Sequence, residues 1–265
     1  MNSLDYKPQI MGILNITPDS FYDGNPSLNE DFFIKSLDDL ANADIIDIGC
    51  ESSRPGANPI SDEEEIQRLD IILPYLSTMK NIKLSIDTYK PNVAKYALLN
   101  GFSIINDIKA GAESLEMFEV ASSSNSQIIL MHMKGNPRTM QNNPHYDNII
   151  DEISSFLEYR ATEAVKYGIS EENIIIDPGI GFGKTFLDNM EIIRKISEFK
   201  KLGFKILLGH SRKSFLMQDD DTPNERLSST IAVSVFASMN KVDILRVHDV
   251  YENKKAINTI SALIK

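Results

Sequence analysis

Ile174-Ile-Ile-Asp177 is a short β-branched run that stops abruptly at a carboxylate. Consecutive isoleucines without polar alternation suit a strand buried on both faces, as in a parallel sheet. Working outward, the same figure recurs at Ile10–Asn15, Ile45–Asp47, Leu84–Asp87, Ile104–Asp107, Ile128–His132, Ile206–His210 and Ile244–His248. Each run is followed by enough chain for one helix. The periodicity places helices at Asp31–Ala41, Glu63–Ser77, Pro91–Leu99, Ser114–Ser122, Tyr146–Tyr167, Phe186–Lys200, Glu225–Met239 and Tyr251–Ile264. Eight β-then-α units in 265 residues are what a closed (β/α)8 TIM barrel requires. No Pro/Ser-rich linker interrupts the rhythm, so residues 1–265 read as one domain. In such a barrel the C-terminal strand ends ring one mouth, and the polar residues placed there converge on a single site. The chain therefore reads as an enzyme.

Composition narrows the classes of partner. An apolar content of 42% supplies a core, and no stretch approaches the roughly 20 apolar residues that span a bilayer. The N-terminus lacks a basic region followed by an apolar segment, and the single cysteine, Cys50, fits a reducing cytoplasm. A net charge of −11 argues against nucleic acid. The acidic runs 62–65 and 219–221 read as solvated surface. Ser61-Asp-Glu-Glu64 and Thr222-Pro-Asn-Glu225 match capping boxes, with Pro223 at a first helical position. The longest loops are expected after strand 1 (17–29), strand 2 (51–60) and strand 5 (133–144).

Strand alternation puts residues i and i+2 on one face. Arg246 and His248 thus point the same way, either as an anion clamp or as an Arg–carboxylate pair beside a structural histidine. Ser85 and Asp87 share a face on strand 3, strand 4 offers Asn106, and strand 6 ends in Asp177. Carboxylates and an amide inside a barrel mouth are costly unless they bond to something, and a donor-rich heterocycle would satisfy them. Asp177-Pro-Gly-Ile-Gly-Phe-Gly-Lys184 is neither a Walker loop nor a dinucleotide turn. Its glycines suggest close approach of backbone and Phe182 to a flat ligand. Lys213, in Ser211-Arg-Lys-Ser214 after strand 7, is placed to reach inward. His132, His145, His210 and His248 show no metal-ligand spacing, which disfavours zinc. Cys50 reads as a small buried residue rather than a nucleophile.

Asn15-Ile-Thr-Pro-Asp-Ser-Phe-Tyr-Asp-Gly24 and Asp47-Ile-Gly-Cys-Glu-Ser-Ser-Arg-Pro-Gly-Ala57 closely resemble the two signature segments of the dihydropteroate synthase family. So do Ser85-Ile-Asp-Thr88, Ile105-Asn-Asp-Ile108, Met131-His-Met-Lys-Gly135, residues 177–184, residues 211–215 and Arg246-Val-His-Asp-Val250. The resemblance runs in order from strand 1 to strand 8.

It implies a cytoplasmic folate-pathway enzyme that joins (7,8-dihydropterin-6-yl)methyl diphosphate to 4-aminobenzoate and releases pyrophosphate. By matching positions, Asp87, Asn106, Asp177 and Lys213 are expected to bind the pterin, with Asp87, Asp177 and Lys213 catalytic. Ser53, Arg54, Arg246 and His248 are expected on the diphosphate, and Asn15 on a Mg²⁺. Phe21, Ser53, Pro55, Phe182, Lys213 and Ser214 are expected around 4-aminobenzoate, its carboxylate facing Ser214 and the N-terminus of the helix after strand 7. The family also implies a homodimer and a sulfonamide target, because Phe182 runs directly into Gly183-Lys184 without extra residues. Cys50, Ser53 and Tyr22 stand where the family usually has glycine, threonine and a small residue. The alternatives are a pterin-dependent methyltransferase of the same barrel superfamily, which needs neither residues 211–214 nor the Arg246–His248 pair, and a catalytically idle pterin-binding protein.

Overall fold

Parallel pairing closes the sheet on itself in the order β1 to β8, with β8 returning to β1. The strands are Gln9–Asn15, Ile45–Gly49, Lys83–Asp87, Ile104–Asp107, Gln127–Met131, Ile174–Asp177, Lys205–Leu208 and Ile244–Val247. Helices α1 to α8 alternate with them at Glu30–Leu40, Asp62–Leu76, Pro91–Leu99, Glu116–Ser123, Ile149–Lys166, Phe186–Arg194, Leu227–Met239 and Val250–Leu263. This computed structural model describes residues 6–16, 30–52, 57–77, 79–136, 138–217 and 221–264, the first three residues of α1 by backbone only. Phe21, Tyr22, Ser53, Arg54, Pro55 and the loop at 17–29 lie outside the described residues.

Two packed layers separate along the strands by parity. Met11, Ile45, Ile104, Ile129, Ile175, Leu207 and Ile244 pack on one another inside the barrel. Their strand neighbours Ile10, Ile46, Ile105, Ile128, Ile174, Ile206 and Leu245 face outward into the core that includes Phe33, Phe118 and Phe199. Because side chains alternate, the inward face continues through Asn15, Asp47, Asp87, Asn106, Asp177, Arg246 and His248. The register sets Asp47 beside Ile13 and Ser85, and Asp87 beside Gly49 and Asn106. An apolar floor thus carries a polar storey above it. On β1, a Cβ at Gly12 would stand 2.4 Å from Leu40 and 2.8 Å from Val250, so glycine there admits α1 and α8 close to the strand.

Most element boundaries fall within two or three residues of the sequence expectation, and three features differ. The helix expected at Phe186–Lys200 is α-helical only to Arg194 and continues as a 3-10 segment, Ile196–Leu202. The Thr222 box does not open α7. Thr222 N–H does donate to Glu225 Oε2 at 2.7 Å, but residues 223–226 form a turn and the helix starts at Leu227. The connection after β7 is consequently long, running from 209 to 226; among its described residues the one helical turn is the 3-10 segment Ser214–Leu216. Conversely, Thr185 and Asp188 form a complete capping box at α6 that the sequence pattern did not flag.

Candidate active site

Asp47 lies wholly buried in the middle of β2, and three side chains converge on its carboxylate. Ser85 Oγ donates to Oδ1 at 2.6 Å, Asn106 Nδ2 donates to Oδ2 at 2.9 Å, and Arg246 Nε donates to Oδ2 at 2.6 Å. Arg246 Nη2 also donates to Asp87 Oδ2 at 2.6 Å. One guanidinium from β8 therefore bridges carboxylates from β2 and β3 across the barrel. The Arg–carboxylate alternative is the one seen for Arg246, with its side chain still 20% exposed at the mouth. Burial pushes the Asp87 carboxyl up to about 7, while Arg246 pulls the other way.

Sequence reasoning placed Asp47 only at a strand end and gave it no role. The usable signal was parity, since Asp47 shares the inward face of Ile45 and Gly49. At Gly49 an added Cβ would come within 3.3 Å of Asn15 Oδ1 and 3.6 Å of Asp87, so the glycine leaves space between those two side chains.

Asn15, Asp87, Lys213, Arg246 and His248 line one small pocket of about 90 Å³, together with Ile13, Glu51, Ser52, Gly209 and Ser211. His248 is tied to the neighbouring loop: Ser211 Oγ lies 3.0 Å from its Nδ1 and accepts its backbone N–H at 3.2 Å. Glu51 enters the pocket wall as part of a buried cluster in which Lys90 Nζ meets Glu51 at 2.6 Å and Glu65 at 2.7 Å. Ile60 N–H also donates to Glu51, so this cluster ties together both ends of the β2–α2 loop.

Asp177 is buried at the end of β6 and accepts from Gly179 N–H at 2.7 Å. Burial raises its carboxyl, opposed by that hydrogen bond and by Lys213 and Lys184. Lys213 crosses from the β7 loop to donate to the Ile180 carbonyl, its ammonium 4.6 Å from the Phe182 ring centroid. Burial lowers the Lys213 ammonium to about 8, with Asp177 working against the shift. Asp87, Asn106, Asp177, Lys213, Arg246 and His248 thus share the mouth, and Phe182 borders it.

Ser214 is exposed, and behind it stands only the 3-10 turn. The helix after β7, α7, begins further along at Leu227.

Two of the three glycines of residues 177–184 lie against the protein's own backbone. Gly179 has φ +70, and a Cβ there would stand 1.9 Å from the His132 carbonyl. At Gly183, φ +67, it would stand 2.4 Å from the Lys134 carbonyl. Both positions let the β6 loop lie directly on the β5 loop. Lys184 pins that contact from within: only 3% exposed, its Nζ donates to the Phe182 and His132 carbonyls and lies 3.0 Å from His132 Nδ1. Burial lowers both the Lys184 ammonium and the His132 imidazole, the latter to about 3, so His132 is a neutral acceptor near pH 7. Cys50 is fully buried and burial raises its thiol, which agrees with an inert residue.

The pterin-binding enzyme model matches residues 11–248. Dihydropteroate synthase of Escherichia coli is 39% identical over 99% of this chain and 94% of its own length. The chain belongs to the dihydropteroate synthases. The enzyme from Synechocystis is 42% identical over 91% of the chain and 85% of its own length. Two solved dihydropteroate synthases superpose closely. One, from Yersinia pestis with a sulfonamide drug complex, has a TM-score of 0.90 at 36% identity, covering 97% of this chain and 94% of its own. The other, from Clostridium difficile in the presence of pteroic acid, has a TM-score of 0.89 at 39% identity, covering 98% of both chains.

The Arg246 bridge has a measurable consequence. Replacing Arg246 with Met leaves two buried carboxylates without their shared cation, which costs about 3 kcal/mol or more near neutral pH. The buried Asp87 carboxyl, no longer pulled down by Arg246, then holds a proton that the unfolded chain has released. Stability must fall as pH rises through the window from about 4, where unfolded carboxyls ionise, past the raised folded value. Urea midpoints for Arg246→Met are expected to lie closest to wild type at pH 5 and to diverge progressively up to pH 8. A gap independent of pH would show that Arg246 does not oppose the upward shift of Asp87.

Proposed function

We propose that this mouth joins (7,8-dihydropterin-6-yl)methyl diphosphate to 4-aminobenzoate, giving 7,8-dihydropteroate and pyrophosphate. The observation that carries the reading is the convergence of Asp87, Asn106, Asp177 and Lys213 beside Arg246 and His248 in one barrel mouth. Acceptors for a donor-rich ring stand next to cations for a leaving anion. Arg246 occupies one oxygen of Asp87 and Gly179 N–H one oxygen of Asp177, leaving the other oxygen of each for ring N–H groups. Asn106 donates its amide to Asp47 and keeps its carbonyl for a ring amino group. Lys213 reaches the carbonyl side of the ring.

The C–O bond to the diphosphate breaks with its electron pair leaving on oxygen. The methylene carbon is then a cation delocalised into the pterin, and the carboxylates of Asp87 and Asp177 stabilise it. The arylamine lone pair forms the new C–N bond, and the resulting ammonium loses its proton to water, so no strong general base is required. His248 and the exposed edge of Arg246 receive the departing charge. Phe182 packs on the arylamine, and Ser214 lies toward its carboxylate. The contributions of Phe21, Ser53, Arg54 and Pro55 come from outside the described residues. Lys213 acts as the cation, so kcat/KM falls as pH rises through about 8.

Asn15 suits a Mg²⁺ that arrives with the diphosphate. Among the described residues no group of three or more His, Cys, Asp or Glu could hold a metal. Mg²⁺ typically takes one or two protein oxygens plus substrate phosphates and water, and the Asn15 carbonyl in the pocket wall fits that demand. When bound, the ion would neutralise diphosphate charge. Among the described residues no helix is long and apolar enough to cross a membrane; the cytoplasmic location belongs to the folate-pathway reading. Exposed Phe186, Leu187 and Met190 on α6, with Phe236 and Met239 on α7, support a homodimer that covers them; light scattering should return twice the 29.8 kDa chain mass.

Pyrophosphate release should require both substrates, and Lys213→Ala should lower turnover at least about a hundredfold with an unchanged circular dichroism spectrum. Pyrophosphate formed equally well without the amine, or near-normal turnover of folded Lys213→Ala, would overturn the scheme. Chelation should abolish release, and Asn15→Ala should raise the Mg²⁺ concentration needed for half activity. A Mg²⁺ titration matching wild type would remove Asn15 as a ligand.

A further inference from the structure

Arg212 separates Ser211 from Lys213 and holds φ +58, a conformation that L-residues with long side chains rarely adopt. Both its backbone groups and its guanidinium are engaged in holding it there. Its backbone N–H donates to Thr230 Oγ1 at 3.1 Å, and its carbonyl accepts from Arg226 Nη1 at 3.0 Å. Its Nε and Nη2 donate to the two oxygens of Asp249 at 3.0 and 2.5 Å, and Nη1 donates to Asn224 at 2.6 Å. Asp249 follows His248 at the end of β8, and Asn253 Nδ2 donates to its carbonyl at 2.7 Å. Asn253 Oδ1 in turn accepts from Ser234 Oγ at 2.6 Å, which lies 2.9 Å from His210 Nε2 under the same loop.

A solvated ion pair would contribute little. This one is two-pronged, with side chains 28% and 13% exposed, and it connects the loop after β7 to the end of β8. Backbone strain of this kind persists only where the surroundings over-determine it, and it clusters at functional sites. The left-handed residue bends the chain one position before Lys213. That bend separates the inward path of Lys213, toward Ile180 and Phe182, from exposed Ser214.

We propose that the Arg212–Asp249 pair is a positioning device for Lys213: it holds the left-handed turn that aims the lysine across the mouth at the β6 loop. The inference rests on the role given to Lys213 above. Arg212 and Asp249 themselves touch no reacting atom.

Two measurements test it on the full chain. The first is competitive labelling with acetic anhydride from pH 6 to 11, with the Lys213 peptide read by mass spectrometry. In the wild type its reactivity should have a midpoint near 8. In Arg212→Gln and in Asp249→Asn the released side chain should move that midpoint up by one pH unit or more, toward the ordinary lysine range.

The second is a double-mutant cycle on pyrophosphate release. Each variant should lower kcat/KM about tenfold when Lys213 is present and less than twofold in a Lys213→Ala background, since a residue acting through Lys213 has nothing left to position. A fixed labelling midpoint in a folded variant, or equal losses in both backgrounds, would overturn the proposal. Asp249→Asn keeps the volume at that site and serves where Arg212→Gln fails to fold. Loss of the wild-type reaction altogether would count against the proposed chemistry, and the labelling midpoint would still decide the role of the pair.

Discussion

One guanidinium carries two acids at the centre of this barrel. Arg246 rises from β8 and donates to Asp47 on β2 and Asp87 on β3. Unpaired carboxylates at that depth would have to take up protons or remain strongly unfavourable. With Arg246 in place, Asp47 is buried with all its partners inside the barrel, and Ser85 and Asn106 acquire fixed orientations by donating to it. The apolar floor of Met11, Ile45, Ile104, Ile129, Ile175, Leu207 and Ile244 ends just below, so the polar storey stands on a dry base. In the proposed function, recognition of the pterin edge and of the leaving anion therefore depends on the same side chain.

That arrangement has an electrostatic cost that substrate can relieve. Two acids share one arginine, and burial raises Asp87 and Asp177 while lowering Lys213. All three shifts have desolvation as their largest cause, so each group is held away from its preferred protonation by the absence of water. A ring that supplies N–H donors to the acids and a carbonyl to the lysine replaces the missing solvent with directed hydrogen bonds. The small pocket between Asn15 and His248 is the polar end of that replacement in the proposed reaction, with Arg246 and His248 in its wall.

Loops at the mouth are held by the protein's own buried polar contacts. Glycines at 179 and 183 allow the β6 loop to touch the β5 loop, and Lys184 fills the contact from inside. Asn189 accepts from Gly181 N–H at 2.7 Å and ties the same loop to α6. On the opposite side Lys90 gathers Glu51, Glu65 and the Ile60 carbonyl. Arg212 and Asp249 join the last two strand ends. Lys184, Lys90 and Arg212 each stand among complementary polar partners, costly alone and specific when complete.

Strand and helix order was legible because it is written locally. Unbroken isoleucine runs mark strands buried on both faces, and a period near 3.6 marks the helices between them. Parity along each strand was enough to bring Asp87, Asn106, Asp177, Arg246 and His248 to one mouth, and the quoted segments carried the family. Asp47 escaped as a site residue because a carboxylate's role depends on what faces it across the barrel, and Arg246 is 199 positions away in sequence. The same limit applies to Gly179 and Gly183, whose contact with the His132 and Lys134 carbonyls no local spacing reveals. It also explains the turn at 223–226, where Thr222 and Glu225 made their local hydrogen bond without starting a helix. Local periodicity determined the elements and which way their side chains face; closure of the barrel, which sets register and brings distant charges within 3 Å, decided which of those side chains hold one another.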